Sequence, residues 1–218
     1  MNNNYVTLSW VINNETIGYG GFQGVKISPL KQISKGDTAN THRIELHNHS
    51  GTHIDFPYHF IEAGKKSHEY DAGFWVFASP WMVNIQVNDG EVFILTSEVI
   101  ASIPRETDFL ILKTGFGGFR NEDKFWSNNP GLSPELAAKL KFQCPKLKII
   151  GLDTISLTSY KHREIGRVSH REFLGTNDIL VVEDMKLDEL VEQPKKLICL
   201  PLLIEGIDGA PVHIIAKL

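Results

Sequence analysis

The sequence has little cysteine, no excess of positive charge and no long apolar run. Its two cysteines, Cys144 and Cys199, are too few and too widely spaced for a disulfide framework or a CxxC metal site. Twenty-two Lys and Arg residues against 26 Asp and Glu give a net charge of −4, which predicts neither a nucleic-acid nor a membrane partner. No run reaches the ~18 apolar residues of a membrane span, and residues 1–5 show no export signal. These absences predict a cytoplasmic protein.

Several catalytic signatures are also missing. The sequence contains no GxSxG nucleophile elbow, which argues against a serine hydrolase. It contains no Walker A or GxGxxG pattern, and the run from Gly115 to Arg120 is only superficially similar to them. Internal repeats and serine- or glycine-rich linkers are absent as well, so we predict a single domain over residues 1–218.

Short β-branched and apolar runs recur along the chain and predict an α/β fold in which sheet predominates. The predicted helices cover Thr96–Ala101, Pro134–Phe142 and a segment that begins near His170. The predicted strands are Val6–Trp10, Met82–Val87, Val92–Leu95, Phe109–Leu112, Lys148–Leu152, Ile179–Val182, Leu197–Leu200 and Val212–Ile215.

Histidine is concentrated in one short segment. His47, His49, His53 and His59 fall within thirteen residues and accompany Asp55. If residues 45–60 are extended, all five side chains lie on one face, because side chains alternate along a strand. Ile54, Phe56, Tyr58 and Phe60 then form an apolar opposite face.

Two interpretations of this segment differ. A solvated edge strand with a histidine-rich face is the simpler one. Imidazoles and a carboxylate on one face are also the ligands that zinc, manganese or iron(II) takes in proteins. We favour the metal site, with His47 as a structural residue, because four ligand-capable groups share one face and the opposite face is apolar. Gly51 and Pro57 are also atypical of an ordinary ladder strand.

The run His49-Ser-Gly-Thr-His53-Ile-Asp55-Phe-Pro57-Tyr-His59 resembles the HxGTHxDxPxH signature of the cyclase family of metal-dependent hydrolases, and it matches every fixed position. Similar segments extend over nearly the whole chain, from Val6 to Pro211. The family includes bacterial kynurenine formamidase and isatin hydrolase. The resemblance implies a swivelling β/β/α fold with a mixed, partly barrel-like sheet and flanking helices, and a homodimer or higher homo-oligomer.

The resemblance also implies roles for individual residues. His59 is the acid/base residue, and one or two divalent ions, Zn²⁺ or Mn²⁺, are bound, with Asp55 able to bridge two of them. The run Ser169-x-x-Glu172 predicts a capping box that sets the second-cluster histidine in the first turn of a helix. The implied metal ligands are His49, His53, Asp55, His170 and Glu183.

This ligand set predicts hydrolysis by a metal-activated water. The leading activity is that of an arylformamidase, which converts N-formyl-L-kynurenine to L-kynurenine and formate in tryptophan catabolism. The alternatives are hydrolysis of a cyclic amide or lactone such as isatin, and a metal-binding protein without catalysis.

Three features bear on the substrate. Tyr19 stands where related formamidases carry a tryptophan, and we predict that it binds the substrate: either it stacks on an aromatic ring as tryptophan would, or the pocket fits another amide. The basic run from Tyr160 to Arg167 is either a solvated loop or a clamp for a substrate carboxylate. The aromatic residues Phe74, Trp75, Phe77 and Trp81 either line a pocket or pack in the core.

Overall fold

The computed structural model describes residues 4–218, so the first three residues of the polar amino terminus lie outside it. Among the described residues, no helix is long and apolar enough to cross a membrane. The helices are α1 (Ser97–Ser102), α2 (Lys124–Ser127), α3 (Glu135–Gln143) and α4 (Arg163–Arg171). The strands are β1 (Tyr5–Thr7), β2 (Val25–Lys31), β3 (Thr41–Leu46), β4 (His53–Asp55), β5 (Val76–Phe77), β6 (Pro80–Asn84), β7 (Val92–Phe93), β8 (Phe109–Lys113), β9 (Gly131–Leu132), β10 (Ile149–Leu152), β11 (Leu180–Glu183), β12 (Lys196–Pro201) and β13 (Gly209–Lys217).

The main sheet is mixed, and within residues 4–218 it contains nine strands. Its order is β5-β12-β13-β4-β11-β10-β8-β6, and β1 also pairs with β13. Strands β6, β8, β10 and β11 run parallel, whereas β4, β13, β12 and β5 continue the sheet in antiparallel pairs. The α/β class with a mixed, partly barrel-like sheet is therefore confirmed.

The parallel half of the sheet forms the centre of the core. β10 and β11 are buried along their whole length, and β8 is buried except at Lys113. Such continuous apolar runs are typical of parallel strands that are covered on both faces. The predicted strands at these positions correspond to the observed ones, and α1 and α3 lie where two of the helices are predicted.

The segment from residue 45 to residue 60 is not one extended strand, as the alternation predicts. β3 ends at Leu46, β4 covers only His53–Asp55, and a 3-10 turn follows at Pro57–His59. Gly51 has φ +65°, which bends the chain between the two strands. Alternation holds within β4, where Ile54 faces the core between His53 and Asp55.

The helix predicted to begin near His170 begins at Arg163 instead, so His170 lies in its last turn. The capping box is absent, because the Ser169 hydroxyl donates to the carbonyl oxygens of Leu132 and Ile165 at 2.6 and 3.0 Å. The chain continues from α4 directly into a short π-helix at Glu172–Thr176. The basic run is thus mostly the first half of a helix.

The aromatic run packs in the core. Trp75 and Phe77 are buried, and Phe77 meets Phe109 edge to face at 5.0 Å. Phe74 and Trp81 are half-buried against the same cluster. Core packing is therefore the better interpretation of these four residues.

The sequence patterns did not predict the hairpin of β2 and β3. Among the residues that the structure describes, the two strands pair with each other and with no further strand, and most of their residues are exposed. Leu30 and Ile44 are among the exposed apolar side chains of this hairpin, and Ile33 lies exposed in its connecting segment.

Candidate metal and catalytic site

Three neighbouring strands assemble the candidate site. In the ladder, His53 of β4 stands opposite Glu183 of β11 on one side and Pro211 of β13 on the other. Asp55 stands opposite Gly209 in the same way. The register therefore joins the histidine motif to two segments that are more than 120 residues away in sequence.

A buried cluster of two imidazoles and two carboxylates lies at this point. His53 Nε2 is 3.3 Å from Glu183 Oε2 and 3.5 Å from Asp55 Oδ1. His170 Nε2 is 3.4 Å from both Asp55 Oδ2 and Glu183 Oε1. Ligand atoms about 2.1 Å from a common ion lie about 3.0–3.4 Å from one another, so these spacings suit a divalent cation.

The outer nitrogens of the two buried imidazoles are bonded to backbone. His53 Nδ1 donates to the Gly51 carbonyl at 2.8 Å, and His170 Nδ1 donates to the Gly166 carbonyl at 2.9 Å. Each Nε2 is thereby turned towards the carboxylates, where it would offer its lone pair to an ion once deprotonated. His53 Nε2 is buried without a hydrogen-bond partner, which is the state expected of a metal ligand. The residues present thus fit a divalent ion.

A strained turn holds Glu183. Its Oε1 accepts hydrogen bonds from the Leu157 amide at 2.6 Å and the Ser156 hydroxyl at 3.0 Å. The next residue, Asp184, has φ +50°, and its carboxylate pairs with Arg120 through three contacts of 2.9–3.0 Å. Tertiary contacts of this kind maintain an unfavourable backbone conformation, and here they orient the neighbouring carboxylate.

A second group lies closer to the surface. His49 Nδ1 is 2.8 Å from Asp55 Oδ1, and the rings of His49 and His59 lie with centroids 4.1 Å apart. His49, Asp55 and His59 form one set of groups that could hold an ion, and His53, Asp55 and Glu183 form another. Asp55 belongs to both sets. All the ligands implied by the resemblance are therefore close together, and His59 lies beside them.

Asp208 is a further residue of the site, and the sequence patterns do not predict it. Its Oδ2 accepts hydrogen bonds from His59 Nδ1 at 2.6 Å and from His49 Nε2 at 2.9 Å. The residue precedes β13 in an Ile-Asp-Gly run that has the composition of an ordinary turn. Only the pairing of Gly209 with Asp55 brings it to the site.

Opposite charges dominate the electrostatics of the site. Burial lowers the pKa of His49 and of His170, but the carboxylates of Asp55, Asp208 and Glu183 outweigh it and raise both pKa values to about 10. Burial raises the pKa of Glu183, yet the neighbouring imidazoles lower it to about 2. These shifts favour imidazolium–carboxylate pairs at His49 and His170, and a divalent cation bound there would take the place of the protons.

Tyr19 lies beside the basic run. Its ring meets that of Tyr160 edge to face at 5.5 Å, and Trp126 meets Tyr160 at 5.4 Å. The Arg163 guanidinium lies 4.1 Å from the centre of the Tyr160 ring. The Tyr19 hydroxyl is buried without a hydrogen-bond partner, and burial raises its pKa to about 12 although Arg163 lowers it. The exposed His47, by contrast, packs against Phe22.

Comparison with known proteins agrees with this architecture. The model of the Cyclase family, described as "Putative cyclase", matches residues 6–159. "Cyclase-like protein 3" of Arabidopsis thaliana is 30% identical over 215 residues, which cover 91% of this chain and 71% of that protein. "Kynurenine formamidase" of Bacillus anthracis is 26% identical over 224 residues, which cover 98% and 97% of the two chains.

A solved structure shares the fold. Isatin hydrolase A from Labrenzia aggregata, bound to benzyl benzoate, superposes with a TM-score of 0.79 at 20% identity, over 97% of this chain and 92% of that one. The family match covers more than half of the sequence and includes the whole histidine motif. This chain belongs to the Cyclase family.

Proposed function

We propose that this protein is a metal-dependent hydrolase of carbon–nitrogen amide bonds, with arylformamidase as its leading activity. The observation that carries the proposal is the buried His53–Asp55–His170–Glu183 cluster, with an unpartnered imidazole nitrogen and an adjacent His59–Asp208 pair. Structural ion pairs seldom leave a buried ring nitrogen without a partner. The relatives named as kynurenine formamidases support the hydrolase class.

The proposed ligands are His49, His53, Asp55, His170 and Glu183, for one or two ions of Zn²⁺ or Mn²⁺. These residues would hold the ion, which would supply a Lewis acid for the substrate carbonyl and would lower the pKa of a bound water from 15.7 to about 7. His59, whose Nδ1 donates to Asp208, takes a proton from the attacking water at Nε2 and returns it to the leaving nitrogen. Side chains that are already in place thereby carry out both proton transfers.

The surroundings of Tyr19 support an aromatic substrate with an acidic group. The rings of Tyr19, Tyr160 and Trp126 lie together as an aromatic group, and the Arg163 guanidinium beside them would pair with a substrate carboxylate. N-formyl-L-kynurenine carries both an aromatic ring and a carboxylate. Isatin carries the ring alone, so the group formed by Tyr19, Tyr160, Trp126 and Arg163 favours the formamidase over the isatin-type alternative.

Metal analysis combined with an activity assay tests the proposal. We expect one or two equivalents of Zn²⁺ or Mn²⁺ per chain in the purified protein, and hydrolysis of N-formyl-L-kynurenine that a chelator abolishes and added metal restores. Bound metal with turnover of isatin alone supports the cyclic-amide alternative. Bound metal without turnover of either compound supports the non-catalytic protein, and a metal-free protein contradicts all three.

Replacing Arg163 tests whether its guanidinium binds the substrate carboxylate. We expect Arg163→Gln to raise KM for N-formyl-L-kynurenine about tenfold, which corresponds to the loss of one charge-assisted hydrogen bond, with kcat nearly unchanged. KM for isatin stays constant, because isatin has no carboxylate. Arg167→Gln is the matched control, since Arg167 pairs with Glu164 at the surface of the same helix. An equal change for both substrates contradicts the clamp.

We also propose that the chain forms a homodimer or a higher homo-oligomer. The β2–β3 hairpin supports this, because an isolated pair of strands has marginal stability in water and this one exposes Leu30, Ile33 and Ile44. Light scattering on the eluting protein tests the proposal. A mass near the 24.5 kDa of one chain at all concentrations contradicts it.

A further inference from the structure

Asp208 joins the two imidazoles that lie nearest to the surface of the site. A single oxygen, Oδ2, accepts hydrogen bonds from His59 Nδ1 at 2.6 Å and from His49 Nε2 at 2.9 Å. The histidine motif does not contain this residue, which lies 149 positions beyond His59 in sequence. One carboxylate therefore contacts both a proposed ligand and the proposed acid/base residue.

The chain holds this carboxylate in place from two directions. The Asp208 carbonyl accepts a hydrogen bond from the Phe56 amide at 2.9 Å, next to Asp55. Asn48 Nδ2 donates to Asp208 Oδ1 at 2.7 Å and to the Gly209 carbonyl at 3.2 Å. Because Asn48 engages Oδ1, the other oxygen is left to face the two rings.

The packing around Gly209 fixes the His49 ring in the same arrangement. A Cβ atom at Gly209 would lie 2.4 Å from His49 Cε1, so only glycine leaves room for the ring. With Nε2 bonded to Asp208, His49 presents Nδ1 to Asp55. With Nδ1 bonded to Asp208, His59 keeps Nε2 free for a proton. Both ring orientations depend on the same acceptor.

We propose that Asp208 is a positioning residue that sets the tautomer and orientation of His49 for metal binding and of His59 for proton transfer. This inference rests on the proposed function, with its metal site for the His49 half and with its activity for the His59 half. Partners of this kind behind a ligand histidine contribute about 10–100-fold to metal affinity. In hydrolytic triads, an amide in place of the carboxylate selects the wrong tautomer and costs about 10⁴ in kcat.

The first test measures Mn²⁺ affinity by calorimetry on chelator-treated protein without substrate. We expect Asp208→Asn to weaken Mn²⁺ binding about 10–100-fold and Asp208→Glu, which keeps the acceptor, to recover most of it. Asn48→Ala removes the hydrogen bonds to Asp208 Oδ1 and to the Gly209 carbonyl but leaves Oδ2 in place, and it should give a smaller loss. Asp188→Asn is the control, since Asp188 is exposed. Wild-type affinity in both Asp208→Asn and Asn48→Ala overturns the His49 half.

The second test measures turnover of N-formyl-L-kynurenine at saturating Mn²⁺. Asp208→Asn should lower kcat at least 100-fold with KM changed less than about threefold, and it should cost nothing further in the His59→Ala background. Additive losses in the double variant overturn the His59 half, because a residue that acts through His59 has no effect without it. A wild-type protein that binds Mn²⁺ without turnover contradicts the proposed function, and the affinity test then decides the inference alone.

Discussion

The candidate site has two halves that differ in exposure and in what holds their imidazoles. In the inner half, His53, His170 and Glu183 have side chains that are 4–5% exposed, and backbone carbonyls fix the outer ring nitrogens. In the outer half, the side chains of His49, His59 and Asp208 are 14–32% exposed. There a side-chain carboxylate fixes the ring nitrogens, and Asp55 joins the two halves.

The difference separates two tasks within one cluster. A backbone carbonyl accepts the hydrogen bond without adding charge, so it fixes which ring nitrogen faces the ion. A carboxylate near water can stabilise an imidazolium as well, which a proton-transfer residue requires at each turnover. We therefore propose that the inner half serves ion binding alone, whereas the outer half serves both ion binding and proton transfer.

Breaking the inner half should have the largest effect. Glu183→Gln keeps the size of the side chain but removes the charge that faces both buried imidazoles, and we expect more than a 100-fold loss of Mn²⁺ affinity. Calorimetric titration of the chelator-treated protein measures it. Glu164→Gln on the surface of α4 is the control. Retained affinity in Glu183→Gln would show that this carboxylate is not a ligand.

Breaking the outer half should separate catalysis from binding. We expect His59→Ala to lower kcat by about 10²–10⁴, as for the loss of a general acid/base, while Mn²⁺ affinity changes less than about threefold. Steady-state kinetics and the same titration give both values. If affinity falls together with kcat, His59 is a ligand of a second ion, as its grouping with His49 and Asp55 allows.

The turn behind the inner half should be costly to disturb. Arg120→Ala leaves the buried Asp184 carboxylate without a partner, and we expect it to lower the free energy of unfolding by about 3–5 kcal/mol. Lys146→Ala removes an exposed ion pair with Glu106 and should cost less than about 1 kcal/mol. Urea unfolding of the two variants provides the comparison. Equal losses would mean that Arg120 does not support the turn.

The charged groups of the two halves also make the stability of the metal-free protein depend on pH. The imidazoles of His49 and His170, with pKa raised from 6.5 to about 10, stabilise the fold fully below pH 6.5 and lose this contribution as the pH rises to about 10. The Glu183 carboxyl, with pKa lowered from 4.5 to about 2, stabilises above pH 4.5 and loses its contribution as the pH falls to about 2.

The free energy of unfolding of chelator-treated protein should therefore be greatest between about pH 4.5 and 6.5 and decline on both sides. Urea titrations at pH values from about 2 to about 10 measure this free energy. Saturating Mn²⁺ should oppose the alkaline decline, since deprotonated imidazoles bind the ion better. A stability that stays constant from about pH 6.5 to 10 would contradict the imidazolium pairs.

Local patterns predicted the core of this fold better than its rim. Strands such as Phe109–Leu112 appear as continuous apolar runs because both of their faces are covered, and they were predicted correctly. The helix of His170 was placed too late, because its first residues, Arg163 and Glu164, are charged and resemble a loop. The β2–β3 hairpin was missed since it packs little apolar surface.

The site shows the same limit. The motif residues from His49 to His59 are close in sequence, so spacing alone indicates a ligand face. His170 and Glu183 came from the family resemblance, because a helix histidine and a strand-end glutamate have no local signal of their own. Asp208 has none either, and only the register of β13 against β4 gives it a role.

The position of β13 has a consequence for the protein during its synthesis and folding. This strand lies between β12 and β4, and it carries Gly209, against which His49 packs. Until residues 209–217 have left the ribosome and paired with β4, Asp208 is not held beside His49 and His59, and β4 lacks one of its two neighbouring strands. Contacts between such distant segments form late in folding. We therefore expect the nascent chain to bind the proposed ion at full affinity only once this strand has paired with β4, so tight metal binding would also report that β13 is in place.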